Sequence, residues 1–232
     1  QQTDGLPGGS AATPTVATVG VTPTRDPAVA GEQMRRHGFC ILEGVIPSSA
    51  IPALRASAER TAVANVSWHL DGVNAGRALD GSSAVWHVAS VLSYDQTMAA
   101  WIGDRRVLDV VEETFATAEI QVSYTTLQVN RPNCQQLRWH ADGHLAQTER
   151  YERPHETLRR PAHINALYML SDFTVANGGT WMVPGSHARP AAQDPYTSGS
   201  TEEKYSPYPE AGHATGAAGC VCVLDCRIWH CM

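Results

Sequence analysis

Two histidines and one aspartate in this sequence have the types and spacing of a metal site. His140 and Asp142 are separated by a single residue on a stretch predicted as a β-strand, and His230 ends a later predicted strand. Residues i and i+2 of a strand point to the same face of a sheet, so His140 and Asp142 can approach one ion. Two imidazoles and one carboxylate are the protein ligands of non-haem iron sites that leave other metal positions open for a co-substrate and oxygen. The pattern predicts an oxygenase.

The sequence carries this His-x-Asp pattern twice. Residues 68–72 read WHLDG and residues 139–143 read WHADG. We favour the second copy, with His140 and Asp142, because it ends a strand-like stretch in the β-rich half of the chain. The first copy, with His69 and Asp71, lies among predicted helices and loops. A single His-x-Asp is most often a surface or hydrogen-bonded pair, so the prediction depends on His230.

The surroundings of His230 are predicted from the alternation of the strand that precedes it. If this strand runs unbroken through residues 219–230, one face is apolar until it reaches His230, as expected for a barrel wall with a ligand at its mouth. A bend near Asp225 would change the phase of this alternation. The apolar face consists of Cys220, Cys222, Leu224, Cys226 and Ile228. The opposite face carries Val221, Val223, Asp225, Arg227 and Trp229.

Predicted helices come first along the chain and most predicted strands follow them. Helices are predicted over residues 27–37, ending at Gly38, over a stretch that carries Ile51, Leu54 and Ala58 on one face, and over residues 95–117, which Gly103 divides. Residues 188–217 are predicted as a long loop. This order indicates an α+β fold, mainly β, whose body is a double-sheet jelly roll with flanking N-terminal helices. The predicted strands cover residues 39–46, 120–130, 137–142, 163–171, 180–184 and 219–230.

Composition limits the classes of function. The chain has 232 residues and an apolar fraction of 43%, which is ordinary for one globular domain. The net charge of -6 argues against a nucleic-acid-binding protein, and no apolar run approaches the roughly 20 residues of a membrane helix. Residues 1–26 are predicted as a flexible arm and residues 27–232 as a single domain. We expect a cytoplasmic location, although the sequence begins with Gln1 rather than Met.

Three segments resemble the motifs of the phytanoyl-CoA dioxygenase family of Fe(II)/2-oxoglutarate oxygenases. They are RWHAD at residues 138–142, NGGTWMVPGSH at residues 177–187 and GCVCVLDCRIWH at residues 219–230. The segment GFCILEGVIP at residues 38–47 is similar to the first strand of that family. The ordered combination is specific to the superfamily and not to any substrate.

The resemblance implies a double-stranded β-helix, the cupin-like form of the jelly roll, that binds Fe(II) through His140, Asp142 and His230. It also implies that 2-oxoglutarate chelates the iron and that oxygen converts it to succinate and CO2. An unactivated C–H bond of a small organic substrate, lipid-like or a secondary metabolite, is then hydroxylated. Related halogenases have a small residue in place of the carboxylate, so the presence of Asp142 favours a hydroxylase.

The resemblance also indicates residues for the co-substrate. By position in the family pattern, Leu127 and Asn130 lie beside 2-oxoglutarate, and Arg138 shares a face with His140 from which it can approach a carboxylate. Family members hold the far carboxylate of 2-oxoglutarate with an arginine beyond the last histidine, since a planar guanidinium can donate to both oxygens. No arginine follows His230 before the sequence ends at Met232. We therefore expect a domain that is truncated at its C-terminus.

Two alternatives stay open from the sequence. One is a cupin-like metal enzyme that does not use 2-oxoglutarate. The other is a non-catalytic binding protein, or one structured by zinc on Cys220, Cys222, Cys226 and Cys231, although these lack a C-x2-C pair and are better interpreted as small buried hydrophobic residues with reduced thiols. The expected partners are a small-molecule substrate and O2. Neither nucleic acid nor a membrane is expected, and the sequence makes no prediction of oligomeric state.

Overall fold

The fold combines α-helices with short antiparallel strands. The computed structural model describes residues 17, 20–65, 68–69, 85–130, 139–142, 161–177, 179–190, 193 and 208–231. Within these residues the helices are α1 (Pro27–His37), α2 (Ile51–Asn65), α3 (Ala99–Ile102) and α4 (Arg105–Phe115). The strands are β1 (Phe39–Leu42), β2 (Trp68–His69), β3 (Val85–Ala89), β4 (Thr126–Asn130), β5 (Ile164–Tyr168), β6 (Trp181–Met182), β7 (Gly212–His213), β8 (Val221–Asp225) and β9 (His230–Cys231). They form three three-stranded sheets with antiparallel pairing, which confirms the α+β class.

The helices begin and end at capping signals in the sequence. Asp26 accepts a hydrogen bond from the Ala28 amide at the start of α1. Gly38 ends the helix with a φ of 82°, a left-handed conformation that glycine adopts without the strain of a Cβ atom. Gly103 separates α3 from α4, as the sequence predicts. The predicted helical boundaries at residues 27–37 are confirmed.

Strand β8 lies at the centre of the first sheet, between β1 and β5. Its residues alternate between two apolar clusters. Cys222 and Leu224 pack with β1 and with Met182 of β6, so this face forms the core between two sheets. Val221 and Val223 pack on the other face, against residues of α1 and α4. The alternation predicted for this part of the chain is therefore confirmed up to the end of β8.

The second sheet has the order β7-β6-β9, and an antiparallel bridge from His140 to His230 extends it. The prediction of one unbroken strand over residues 219–230 is wrong, because the chain turns between β8 and β9. Asp225 makes this turn: its carboxylate accepts a hydrogen bond from the Arg227 amide at 2.8 Å, and its carbonyl accepts one from the Ile228 amide at 3.0 Å. Side-chain bonding of this kind competes with strand pairing. The turn carries the chain from the first sheet to the second.

The structure differs from the sequence predictions at three further strands, two of them in the third sheet. Its order is β2-β3-β4, and β2 consists of Trp68 and His69, so the first His-x-Asp copy begins on a strand and not among helices and loops alone. Strand β4 starts at Thr126, later than the predicted residue 120, and residues 121–124 before it are exposed. A short strand, β7, also lies within the predicted loop 188–217 and pairs with β6.

The segment before α1 contacts the sheets. Residues 1–16 of the predicted arm lie outside the described residues. Val21 is buried in the core between the sheets, and Thr24 forms a parallel bridge to Leu42. Among the helices that the structure describes, none has the length and apolar character needed to cross a bilayer.

The C-terminal cysteines belong to different apolar clusters. Cys220 and Cys222 lie in the core between the sheets, whereas Cys231 packs in a separate aromatic cluster. Burial raises the pKa of Cys226 to about 11, so its thiol stays protonated at neutral pH. Within the described part of the chain, no group of these thiols is close enough to share an ion. Their arrangement supports packing as their role.

Candidate metal centre

Alternation along strand β9 and along the segment 139–142, which is bridged to it, places three candidate metal ligands on one face. Trp139 and Ala141 are buried on the outer face of the second sheet, in an aromatic cluster that also contains Trp229 and Cys231. His140 and His230, which alternate with them, therefore point to the opposite face. The two histidines are directly opposed, because the amide of each donates to the carbonyl of the other at 2.9–3.0 Å. Backbone pairing thus fixes the separation of the two imidazoles.

His140, Asp142 and His230 converge as the spacing predicts. One ligand atom from each lies within 4.8 Å of the others. The Nε2 atom of His140 is 3.5 Å from Oδ1 of Asp142, and the Nε2 atom of His230 is 3.5 Å from Oδ2 of the same carboxylate. His230 is buried, while His140 and Asp142 are partly exposed. The group is therefore open on one side, where further ligands could reach a bound ion.

The hydrogen bonding of His230 selects its tautomer. Its Nδ1 atom lies 3.0 Å from the carbonyl oxygen of Ile228. A carbonyl can only accept, so Nδ1 carries the proton and Nε2 of the neutral ring keeps its lone pair. That lone pair lies on the side of Asp142. A histidine that donates through one nitrogen to a backbone carbonyl and binds a metal through the other is a common arrangement in metal sites.

Asp142 is an ionised carboxylate in a largely enclosed position. Burial by itself raises the pKa of this group, but the nearby rings of His230, His140 and His163 and a hydrogen bond from Asn165 outweigh burial, and the net pKa lies below its ordinary value. The Nδ2 atom of Asn165 donates to Oδ2 of Asp142. Asn165 lies on β5, so the first sheet contributes to a site whose histidines lie on the second.

A buried ion pair stabilises the turn that precedes His230 in the chain. The Nε and Nη2 atoms of Arg227 donate to the two carboxylate oxygens of Asp225 at 2.8 and 2.5 Å, and both side chains are buried. The Trp229 amide, next along the chain, donates to Oγ of Ser186 at 2.8 Å. These contacts fix the turn between β8 and β9. Because Ile228 lies in that turn, they also fix the carbonyl that orients the His230 ring.

The residues predicted for the co-substrate are only partly described. Leu127 is half-buried and Asn130 is exposed on strand β4. Arg138 lies outside the described residues, as does Asp71 of the first His-x-Asp copy. The structure therefore brings together the three predicted metal ligands and leaves the role of Leu127, Asn130 and Arg138 as a prediction.

Sequence reasoning missed Asn165, His163 and the Asp225–Arg227 pair as parts of the site. Asn165 had a usable signal, since it is an amide inside the otherwise apolar strand segment INALY. A buried amide needs a hydrogen-bond partner, so its presence on a core strand indicates a polar group nearby. His213 is a further buried histidine, and its Nδ1 bonds the Gly179 carbonyl.

The donor set fits iron. Two neutral imidazoles and one carboxylate on adjacent antiparallel segments, with one side open, are the protein ligands of mononuclear non-haem iron enzymes. The chain belongs to the phytanoyl-CoA dioxygenase (PhyH) family, whose model matches residues 34–231. Family membership confirms the resemblance seen in the sequence motifs. It also confirms the predicted enzyme class, a 2-oxoglutarate-dependent oxygenase with iron and 2-oxoglutarate as cofactors.

Solved structures with the same fold act in several different reactions. The epimerase SnoN, in complex with Fe3+, alpha ketoglutarate and nogalamycin RO, is 19% identical with a TM-score of 0.62, over 89% of this chain and 77% of that one. The non-heme alpha ketoglutarate dependent carbocyclase SnoK from nogalamycin biosynthesis is 18% identical with a TM-score of 0.64, over 90% and 79%. AviO1 from Streptomyces viridochromogenes Tue57 is 21% identical with a TM-score of 0.61, over 90% and 88%. At these identities the likeness shows the fold alone.

Proposed function

We propose that this protein uses Fe(II) and 2-oxoglutarate to hydroxylate an unactivated C–H bond of a small organic substrate, lipid-like or a secondary metabolite. The observation that carries the proposal is the convergence of His140, Asp142 and His230, with their ligand atoms within 4.8 Å. These three residues hold the iron in the proposal. The bound iron supplies the redox chemistry by which O2 and 2-oxoglutarate are consumed.

The protein's own contacts position the three proposed iron ligands. The backbone bridge between His140 and His230 sets the spacing of the imidazoles, and the Ile228 carbonyl keeps Nε2 of His230 available. Asp142 adds a negative charge, because its pKa lies below the ordinary value and the group is ionised at neutral pH. The partial exposure of His140 and Asp142 leaves a path for the co-substrate, O2 and substrate.

The proposed architecture around the site is a double-stranded β-helix. Two features support it. The first sheet, β1-β8-β5, and the second, β7-β6-β9, share one apolar core that includes Ile41, Met182 and Leu224. The chain also passes from one sheet to the other through the turn between β8 and β9, which is how a rolled pair of sheets is connected.

The proposed co-substrate contacts are those of the family pattern. Leu127 and Asn130 on β4 lie beside 2-oxoglutarate in the proposal, and Arg138 approaches one of its carboxylates. A guanidinium is suited to this role because it donates in a planar fork to two carboxylate oxygens. The matched arrangement of Arg138, His140 and Asp142 at alternate positions places all three on one face if the strand pairing extends to residue 138.

Hydroxylation is proposed in preference to halogenation because Asp142 provides a carboxylate ligand where related halogenases have a small residue. The structural neighbours include an epimerase and a carbocyclase, so enzymes with this fold have more than one reaction outcome. Product analysis distinguishes them. A hydroxylase gives a product heavier by one oxygen atom, whereas an epimerase gives a product of unchanged mass.

The test begins with binding. Fe(II) and 2-oxoglutarate, added to the metal-free protein without oxygen, should together give a weak visible charge-transfer band that neither gives alone. Admission of oxygen should release succinate in an amount that depends on 2-oxoglutarate. Iron binding without the band, or product formation without 2-oxoglutarate, would instead indicate a metal enzyme that does not use this co-substrate.

A further inference from the structure

One half-buried amide, that of Asn165, lies on β5 beside the proposed metal ligands. Asn165 is paired with Leu224 across β5 and β8, and Leu167, two residues further along β5, packs in the core between the sheets. Residues i and i+2 share a face, so Asn165 points toward the same interior as Leu167. An amide that is removed from water needs a hydrogen-bond partner. The half-buried Asn165 has one, because its Nδ2 donates to Oδ2 of Asp142.

This hydrogen bond makes the two oxygens of Asp142 unequal. Oδ2 accepts from Asn165 and lies 3.5 Å from Nε2 of His230. Oδ1 lies 3.5 Å from Nε2 of His140, and no described residue donates a hydrogen bond to it. Oδ2 keeps a second lone pair, but its orientation is fixed by the bond to Asn165, whereas Oδ1 has no such bond from a described residue. Rotation of the carboxylate would break the bond to Asn165.

We propose that Asn165 is a positioning residue that restricts Asp142 to binding the metal through a single oxygen. A carboxylate held in this way occupies one coordination position, whereas a free carboxylate can occupy two. The restriction keeps open a position that co-substrate or oxygen needs. This inference rests on the proposed function for the identity of those further ligands, but the effect on Asp142 itself requires only a metal ion.

The position of Asn165 explains why the residue is an amide. A carboxylate there would repel Asp142, since two carboxylates that share a site cannot both stay ionised without cost. An apolar residue would pack with Leu167 but would leave Oδ2 without its donor. A hydroxyl donor is shorter and would restore the bond only in part. Substitution of Asn165 by an apolar residue or by a hydroxyl residue therefore separates packing from hydrogen bonding at this position.

The experiment uses Co(II) bound to the 232-residue chain and its variants, with visible absorption as the readout, because the Co(II) spectrum reports the number and geometry of ligands. In Asn165→Leu, which keeps the side-chain size but removes the donor, we expect a changed band shape and intensity. We also expect weaker Co(II) binding by about 10-fold or more, the range found when partners of metal ligands are removed. Asn165→Ser should give intermediate values. Leu167→Ala, on the same face of the same strand, is the matched control and should leave the spectrum unchanged.

The outcomes separate this inference from the proposed function. Circular dichroism confirms that each variant is folded. An Asn165→Leu spectrum identical to that of the original protein, or one that Leu167→Ala reproduces, overturns the inference. If the original protein binds Co(II) and the Asn165 variants change its spectrum while 2-oxoglutarate has no effect on it, the inference stands and the use of 2-oxoglutarate is rejected. Absence of Co(II) binding by the original protein would overturn both.

Discussion

Two segments of this chain carry nearly the same five residues and have different surroundings. Residues 68–72 read WHLDG and residues 139–143 read WHADG. In the first, Trp68 and His69 form strand β2 and pair with β3 in the third sheet. In the second, His140 pairs with His230, and Asp142 meets both histidines and Asn165. The residue directly opposite His140 is a second histidine, whereas the residue directly opposite His69 is Trp86. Strand register therefore distinguishes the two copies.

The largest expected difference between the two copies is in turnover. Asp142→Ala should abolish hydroxylation, because it removes the only carboxylate among the three converging ligand groups. Asp71→Ala removes the corresponding carboxylate of the first copy and should leave turnover within a few-fold of its original value. Succinate formation in the presence of Fe(II) and 2-oxoglutarate is the measurement, with circular dichroism as the check on folding. Equal losses in both variants would contradict the assignment.

The residues around the second copy show what sequence patterns can and cannot predict. Alternation along a strand is local, so the shared face of His140 and Asp142 and the two faces of β8 were predicted correctly. Alternation leaves the bend near Asp225 undecided, because that turn depends on a side chain that bonds the backbone two residues later. Asn165 was missed because its partner, Asp142, is distant in sequence and close only in the folded chain. Local periodicity predicts faces, whereas pairing between strands decides which faces meet.

The metal group at the second copy depends on the position of His230. The Asp225–Arg227 pair stabilises the turn that precedes this residue. Arg227→Ala leaves Asp225 as a buried charge without its main partner, and this should reduce the free energy of unfolding by about 3–5 kcal/mol. Arg25→Ala is the matched control, because it removes an exposed pair with Glu43 at 3.4 Å and should cost about 1 kcal/mol or less. Urea unfolding of both variants gives the comparison. A loss below that of Arg25→Ala would show that the turn is held by other contacts.

A smaller effect is expected at the residue that precedes each tryptophan, where the two copies differ. The second copy has Arg138 and the first has Ser67. Arg138→Ser makes the copies alike at this position and should raise the KM for 2-oxoglutarate by roughly 10-fold, equivalent to about 1.4 kcal/mol, because an arginine–carboxylate contact is lost. The kcat should change less, since the metal ligands are retained. Ser67→Ala serves as the control, and an unchanged KM in Arg138→Ser would reject this contact.

The smallest predicted effect concerns His187, a half-buried histidine outside the site. His187 packs against Gly38, and its Nδ1 has no hydrogen-bond partner among the described residues. Burial is the main cause that lowers its pKa, so the folded protein favours the neutral ring. The pKa of His187 in the folded protein lies below the unfolded value of 6.5. The stability that depends on the neutral ring is therefore fully present above pH 6.5 and is lost as the pH falls through the folded pKa.

In metal-free protein, the free energy of unfolding should therefore fall as the pH drops below about 6.5, and His187→Leu should reduce this fall. His37 and His87, whose pKa values are also lowered mainly by burial, remain in the variant, as do His140 and His230. The difference between the two pH profiles therefore isolates His187. His37→Leu is the control, since the protein encloses that ring less than it encloses the ring of His187. Parallel profiles for the original protein and His187→Leu would show that protonation of His187 does not oppose folding.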